Sequence, residues 1–429
     1  MNGHNGLLFD PAFVASLKEK FYCVDADPNG EERLFFDNSG GSLRLRAAVE
    51  AKAASEAYPD CPERNHPMAL ELKAIVERGT RELLELVFSA KSGALISELT
   101  ASQTMFQMVG IIMENVPGTN AVVSVLEHPS AFDAVEYYCK KTNKELRVIP
   151  ANPATGEIEP EAVARLVDEN TCLLSVTSAS NVCGTIMDLP AIVEAARKKK
   201  PSLHIISDAV QHAPHCPLDV EALQLDGVNF APYKFFGVRG CGFAYVSDRV
   251  AALPHHRLLA KPTNEFALGT PSPGNFAAAL AVIDYVCSIG AHFLGAGASR
   301  AQQYAEGMHR IHLQERALLH RMLEGTESIP GLRHIRGISI CADALPLHRR
   351  DLIAAISMNG LDCTALTAEY RRRGVIACER TDTSMYSRRI VTALQSSGVV
   401  RVSPLHCHAP EDIDRFLSVT ADIASSHKM

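Results

Sequence analysis

Between residues 94 and 248, short continuous apolar runs alternate with stretches whose apolar residues recur every three or four positions. The runs at 94–97, 121–126, 146–149, 172–176, 204–207, 227–230 and 242–246 have the length and composition of buried strands. Residues 160–167 and 189–198 lie between such runs and read as amphipathic helices, the second with Pro190 in its first turn. This alternation predicts a mostly parallel sheet of seven strands, flanked by helices on both faces. In such a sheet a ligand sits at the carboxyl ends of the strands. Thr100, His128, Asn181, Asp208 and Lys234 all fall there.

Beyond residue 260 the pattern changes. A loop containing Gly269-Thr270-Pro271-Ser272-Pro273-Gly274 precedes an apolar helix at 276–286, and a long helix at 298–323 follows. A strand is expected near 337–341, a helix near 350–358, strands near 375–378 and 399–403, and a closing helix at 410–425. The expected division is an N-terminal segment, 1–30, packing on the small domain, a large domain, 31–295, and a smaller α+β domain, 296–429. A chain of 429 residues is too long for one simple core, which agrees with two units.

Composition narrows the function. Hydrophobic residues make up 47% and charged residues 21%, with a net charge of −7 and dispersed basic residues, so nucleic-acid binding has little support. No apolar stretch approaches the length of a membrane span, and the first ten residues lack a charged-then-apolar leader pattern. A cytoplasmic protein without membrane contact is expected. The 12 cysteines form no Cys-x-x-Cys pair, which suggests reduced thiols. His406-Cys407-His408 would place two histidines on one face of a strand, but no second cluster supplies further ligands, so no metal is expected.

The candidate chemistry begins with Lys234, 26 positions after Asp208. Each residue alone has a plain explanation, a surface lysine and a helix-capping aspartate. Together, at neighbouring strand ends, they match what pyridoxal phosphate chemistry requires: an amine to bond the aldehyde and an acid to keep the pyridine nitrogen protonated. Ser102 and Gln103 open a helix whose first amides have no internal partners, a place for a phosphate. His128 directly follows a strand and could lie flat on an aromatic ring. Asn181 and Gln211 could face the ring's phenolic oxygen.

Taken in order, Leu34-Phe35-Phe36-Asp37-Asn38, Glu127-His128, Ser180-Asn181-Val182-x-Gly184-Thr185, Asp208-Ala209-Val210-Gln211, Tyr233-Lys234-Phe235-Phe236-Gly237, Gly269-Thr270-Pro271 and Val400-Arg401-Val402-Ser403 resemble the class V aminotransferases, fold-type I pyridoxal phosphate enzymes, and in particular their cysteine desulfurase-like branch. The resemblance implies that Lys234 is the Schiff-base lysine, that His128 stacks on the cofactor and that Asp208 partners its ring nitrogen. It implies a phosphate site at Ser102 and Gln103, with Thr270 reaching the phosphate of the neighbouring subunit in a homodimer. Arg401, assisted by Arg380, would bind the carboxylate of an amino acid substrate.

Two departures matter. Ala231 and Tyr233 stand where the family often has serine and histidine, so one phosphate contact is lost or is replaced by the Tyr233 hydroxyl. The loop Arg380-Thr381-Asp382-Thr383-Ser384-Met385-Tyr386 carries Met385 where a desulfurase carries its persulfide cysteine, and a thioether cannot become a thiolate. The expected activity is therefore β-elimination at carbon–sulfur without a persulfide relay. Transamination is the alternative, followed by epimerisation or carbon–carbon bond formation. A non-catalytic regulator with the same fold is a further reading.

Overall fold

The computed structural model describes residues 5–295 and 297–427; residue 296, the expected start of the smaller domain, lies outside the described residues. A short strand β1 (Leu34–Phe35) precedes the main sheet. That sheet contains β2 (Ala94–Glu98), β3 (Asn120–Ser124), β4 (Glu145–Ile149), β5 (Thr171–Ser175), β6 (His204–Asp208), β7 (Gly227–Phe230) and β8 (Gly242–Val246). Its order is β2-β8-β7-β6-β5-β3-β4. Strands β3 to β7 are mutually parallel, and β8 runs antiparallel to both of its neighbours.

The helices are α1 (Pro11–Lys18), α2 (Arg46–Glu56), α3 (Pro67–Glu82), α4 (Ala101–Asn115), α5 (Pro129–Lys141), α6 (Pro160–Leu166), α7 (Leu189–Lys199), α8 (Asp248–Ala251), α9 (Pro273–Leu294), α10 (Arg300–Glu324), α11 (Cys363–Arg372), α12 (Arg388–Ala393) and α13 (Pro410–Ser426). Successive strand residues serve opposite faces of the sheet. Val123, Leu173 and Ile206 pack with Met105 and Met108 of α4 and Val135 of α5. Val122, Leu174 and Ile205 pack with Val163 of α6 and Ile192 of α7. Burying each such side chain contributes about 1.5–3 kcal/mol, so a one-residue slip of any strand is strongly disfavoured.

Helix α9 corrects the expectation about apolar length. It contains an 18-residue window of mean hydropathy 1.7, long and apolar enough to cross a bilayer by composition alone. Here, however, its residues Phe276, Val282, Ile283, Val286 and Ile289 are buried in the protein core. Helices that pack on several neighbours are apolar around most of their circumference.

A second sheet is antiparallel: β12 (Cys378–Thr381), β13 (Gly398–Val402), β10 (Ala354–Met358) and β9 (Ile338–Ile340), in that order. The helix expected near 350–358 is thus strand β10. Ala354, Ala355, Ile356 and Met358 are all buried, and a strand covered on both faces loses the alternation that separates it from a buried helix. Residues 5–40 touch both units. Phe9, Val14, Leu17 and Phe21 belong to the larger core, whereas Leu34 and Phe36 belong to the smaller one, where β1 pairs with β11 (Val375–Ile376). His406 and His408 lie on a turn rather than a strand. His406 Nε2 pairs with the Tyr285 hydroxyl at 2.7 Å, and His408 Nδ1 accepts from Leu405 N–H at 2.9 Å.

Two buried ion pairs tie the segment after β6 to the rest. His212 Nδ1 lies 3.1 Å from both Asp351 oxygens, and His215 Nδ1 lies 2.7 Å from Glu315 Oε2 on α10. Burial opposes charge on Glu315, yet His215 and then His406 hold its carboxyl down at about 2. Removing one member of such a pair leaves the other uncompensated. Glu315→Gln is expected to lower the unfolding free energy by about 3 kcal/mol in a denaturant titration. A loss below about 1 kcal/mol, the scale of an exposed pair, contradicts this.

Candidate functional site

At the carboxyl ends of the parallel strands lies a cavity of about 240 Å³. Its floor and walls come from segments far apart in sequence: Thr100 to Ser102 after β2, His128 after β3, Asn181 after β5, Asp208 and Gln211 after β6, and Tyr233 and Lys234 after β7. Of the sequence-derived candidates, Ser102, His128, Asn181, Asp208, Gln211, Tyr233 and Lys234 therefore meet in one place.

Lys234 ends a short turn, Pro232–Lys234, and is buried. Two residues later Phe236 takes φ +60°, a left-handed backbone that bulky side chains avoid. Its N–H donates to Ser42 Oγ at 2.9 Å, and its ring packs edge-on against Phe21 and Tyr285. The strain is held by surrounding structure, which fixes the direction in which Lys234 leaves the chain. Burial, then the Arg401 guanidinium, brings the Lys234 amine from its ordinary 10.5 down to about 7. Asp208 works against this shift, and Arg380 adds to it.

Asp208 closes β6. Its Oδ1 accepts from Val210 N–H at 3.0 Å, while its carbonyl accepts from Ser178 N–H at 2.9 Å and Thr177 Oγ at 3.2 Å. Burial raises the Asp208 carboxyl, and the Val210 bond and Lys234 offset part of that. His128 caps α5. Its Nδ1 accepts from Ser130 N–H at 3.2 Å and lies 2.7 Å from Ser130 Oγ. Burial and the positive field of Lys234 push His128 down to about 3, so the ring is neutral.

The phosphate end differs in detail from expectation. Thr100, not Ser102, caps α4, accepting Gln103 N–H at 3.2 Å. A threonine after a strand can cap a helix as a serine does, if somewhat less well, and the first helical residue is Ala101. Gln103 turns away: its Oε1 accepts from Thr100 Oγ at 3.2 Å, and it borders a different groove with Phe106 and Gln107. Gly242 was not singled out from sequence. A Cβ there would lie 2.2 Å from Ala101 N, so only glycine lets β8 approach this helix start.

Arg401 is buried outside the cavity wall, with Nη2 on Asp37 Oδ1 at 2.7 Å and Nη1 on the Asn181 carbonyl at 3.0 Å. Arg380 faces it without a carboxylate partner among the described residues; burial, then Arg401, lowers it to about 10. Thr270 is remote from the cavity of its own chain, and its hydroxyl donates to Glu63 at 3.1 Å. Sequence reasoning gave no role to Glu127. It is fully buried, its Oε1 accepts Ser124 Oγ at 2.6 Å and Thr177 N–H at 2.5 Å, and burial raises it to about 8. Its position just before His128 at a strand end was the available signal.

The donor set fits pyridoxal 5'-phosphate. Asn181 Oδ1 and Gln211 Oε1 are buried without a partner among the described residues, so neither amide is anchored through its oxygen, and the NH2 group of each is the atom set that can donate to a bound oxygen. The start of α4 offers amides for a phosphate.

In apoenzyme, labelling of Lys234 by an amine-directed reagent, followed by peptide mass spectrometry, should rise through a midpoint near pH 7, because the neutral amine reacts. Arg380→Gln removes a neighbouring positive charge and should move that midpoint to higher pH. A midpoint near the ordinary 10.5, or an acid shift in the variant, contradicts the electrostatics.

Comparison with known proteins agrees with the fold. The aminotransferase class-V family pattern matches residues 34–416. A cysteine desulfurase of Salmonella typhimurium is 25% identical over 316 residues, which is 68% of this chain and 76% of that protein. Among solved structures, the apo cysteine desulfurase of Thermococcus onnurineus superposes with a TM-score of 0.79 at 19% identity, covering 98% of this chain and 100% of the other. A cysteine desulfurase of Escherichia coli gives 0.75 at 17% identity, covering 98% and 99%. The chain belongs to the class-V aminotransferase family and is a cysteine desulfurase-like, pyridoxal phosphate-dependent enzyme.

Proposed function

We propose that this enzyme is a lyase that eliminates the β-substituent of a cysteine-like L-amino acid, without a persulfide relay. The observation that carries this reading is the loop after Arg380. Met385 is 75% exposed at its tip, and the next residue, Tyr386, lies over His128 with rings 21° apart and centroids separated by 6.3 Å. The loop thus brings a phenol and a thioether to the mouth of the site, and neither forms a persulfide. Cys378 lies earlier in the same strand, and burial raises its thiol, which leaves it protonated.

The cofactor, when bound, supplies an electron sink that stabilises negative charge at the substrate Cα. Asp208 would hold a proton on its ring nitrogen, and His128 would lie beside the ring. Asn181 and Gln211 would donate to its phenolic oxygen. The amides at Ala101 and Ser102, with the Ser102 and Tyr233 side chains, would hold its phosphate. Lys234, about half neutral at pH 7 and more so above it, removes the Cα proton and carries it. Arg401, already braced by Asp37, and Arg380, which has no carboxylate partner among the described residues, receive the substrate carboxylate. Loss of the proton and of the β-thiolate, which leaves as a thiol, gives 2-aminoacrylate, and water hydrolyses its imine tautomer to pyruvate and ammonia.

We extend the reading to a cytoplasmic homodimer in which the partner subunit's Thr270 completes the phosphate site. Leu258, Leu259 and Leu268 are exposed on the same loop, and Leu259 is 90% exposed, as expected of a surface that a second subunit covers.

Incubation with L-cysteine and its S-substituted analogues, with products read by mass spectrometry, tests the reaction. Pyruvate and free thiol are expected. Alanine with a protein-bound persulfide would restore the desulfurase reading, and an aminated cofactor with a 2-oxo acid would make transamination the activity.

A further inference from the structure

Two guanidiniums lie close to the Tyr233 ring at the rim of the cavity. The Arg239 carbon lies 4.3 Å from the Tyr233 ring centroid, and that of Arg44 lies 6.0 Å from it. Arg239 also borders the cavity itself. Arg44 Nη1 donates to the Ser42 and Tyr233 carbonyls, which aims the rest of its guanidinium outward. Both side chains converge on Gly41. A Cβ added there would lie 2.9 Å from Arg239 Nη2 and 3.6 Å from Arg44 Nη2.

No carboxylate pairs with either group among the described residues. The nearby acid Asp37 is engaged by Arg401 at 2.7 Å. Lys52 adds a third positive charge: its Nζ contacts the Arg239 carbonyl at 3.4 Å and Asn275 Oδ1 at 2.9 Å. Burial, then the neighbouring Arg239, lowers Arg44 to about 10. Gathering like charges without a counter-ion destabilises a fold, and arginine pairs arranged in this way suit the planar or tetrahedral oxyanions they can fork onto.

We propose that Arg44 and Arg239 form an anion subsite around Tyr233, which holds an oxyanion borne by a molecule in the main cavity. Two molecules there carry such a group, the cofactor through its phosphate and an acidic amino acid through its side chain. The first source would restore the phosphate contact that Ala231 does not supply. The second would make this rim the determinant of side-chain choice. The inference rests on the cofactor reading given above.

The test uses Arg239→Gln, because Arg239 is exposed and forms no ion pair among the described residues, with Arg239→Lys as the charge-conserving control and Arg44→Gln as a second variant. Apoenzyme is titrated with pyridoxal 5'-phosphate and with unphosphorylated pyridoxal. The holoenzyme is then assayed on acidic and neutral L-amino acids. If the phosphate is the anion, Arg239→Gln weakens pyridoxal phosphate about tenfold or more and leaves pyridoxal unchanged. If the substrate supplies it, cofactor affinity is retained and KM rises about tenfold for acidic substrates alone. In either case Arg239→Lys recovers part of the loss. The subsite is refuted if phosphorylated and unphosphorylated, and acidic and neutral, ligands respond alike in Arg239→Gln and Arg44→Gln. Failure of the cofactor reading looks different, since wild-type protein would then form no adduct at Lys234. Calorimetry with inorganic phosphate would still decide the subsite: binding lost in Arg239→Gln supports it, and no binding to wild-type protein overturns it.

Discussion

Asp208 and Lys234, an acid and an amine closed into the same cavity, impose the constraint that the rest of the site obeys. Burial drives each toward its neutral form, raising the carboxyl and lowering the amine. Two guanidiniums, Arg401 and Arg380, reinforce the neutral lysine. A protonated ring nitrogen beside Asp208 restores that acid's charge, and it leaves the amine free to act as a base. The same low dielectric that makes these groups costly to ionise makes them responsive to a bound cation.

The scaffold keeps that pair in register. Five parallel strands deliver loops to one edge, and Asp208 and Lys234 come from neighbours, β6 and the segment after β7. The left-handed Phe236 backbone and the Gly242 contact with Ala101 are local irregularities, and both lie at this edge rather than elsewhere in the sheet. Behind the cavity, the His212–Asp351 and His215–Glu315 pairs anchor the segment that bears Gln211. Gln211 Nε2 lies 3.5 Å from His215 Nε2, so the amide nearest the cofactor site is continuous with a buried ionic network.

Much of this was legible in the chain. All seven strands of the main sheet were, because buried parallel strands are uninterrupted apolar runs bounded by turns. Seven of the candidate residues reach one cavity because strand ends are marked by the polar residue that follows the run. The same signal misled at β10, where an apolar run buried on both sides carries no period to read. Gln103 was misplaced because helix phase depends on which residue caps, and Thr100 rather than Ser102 does so. Arg44 and Arg239 are 195 positions apart, Glu315 and His215 are 100 apart, and nothing local in either segment announces the other. Contacts made only by folding have no signature in a single sequence.

The protonation state of the cofactor's ring nitrogen tests the central claim most directly. Bound pyridoxal phosphate labelled with nitrogen-15 in the ring should show a protonated nitrogen in the wild-type enzyme from mildly acid to mildly alkaline pH. The signal should change to the unprotonated form in Asp208→Ala. An unprotonated nitrogen in the wild-type enzyme, or a signal indifferent to Asp208, would contradict the account.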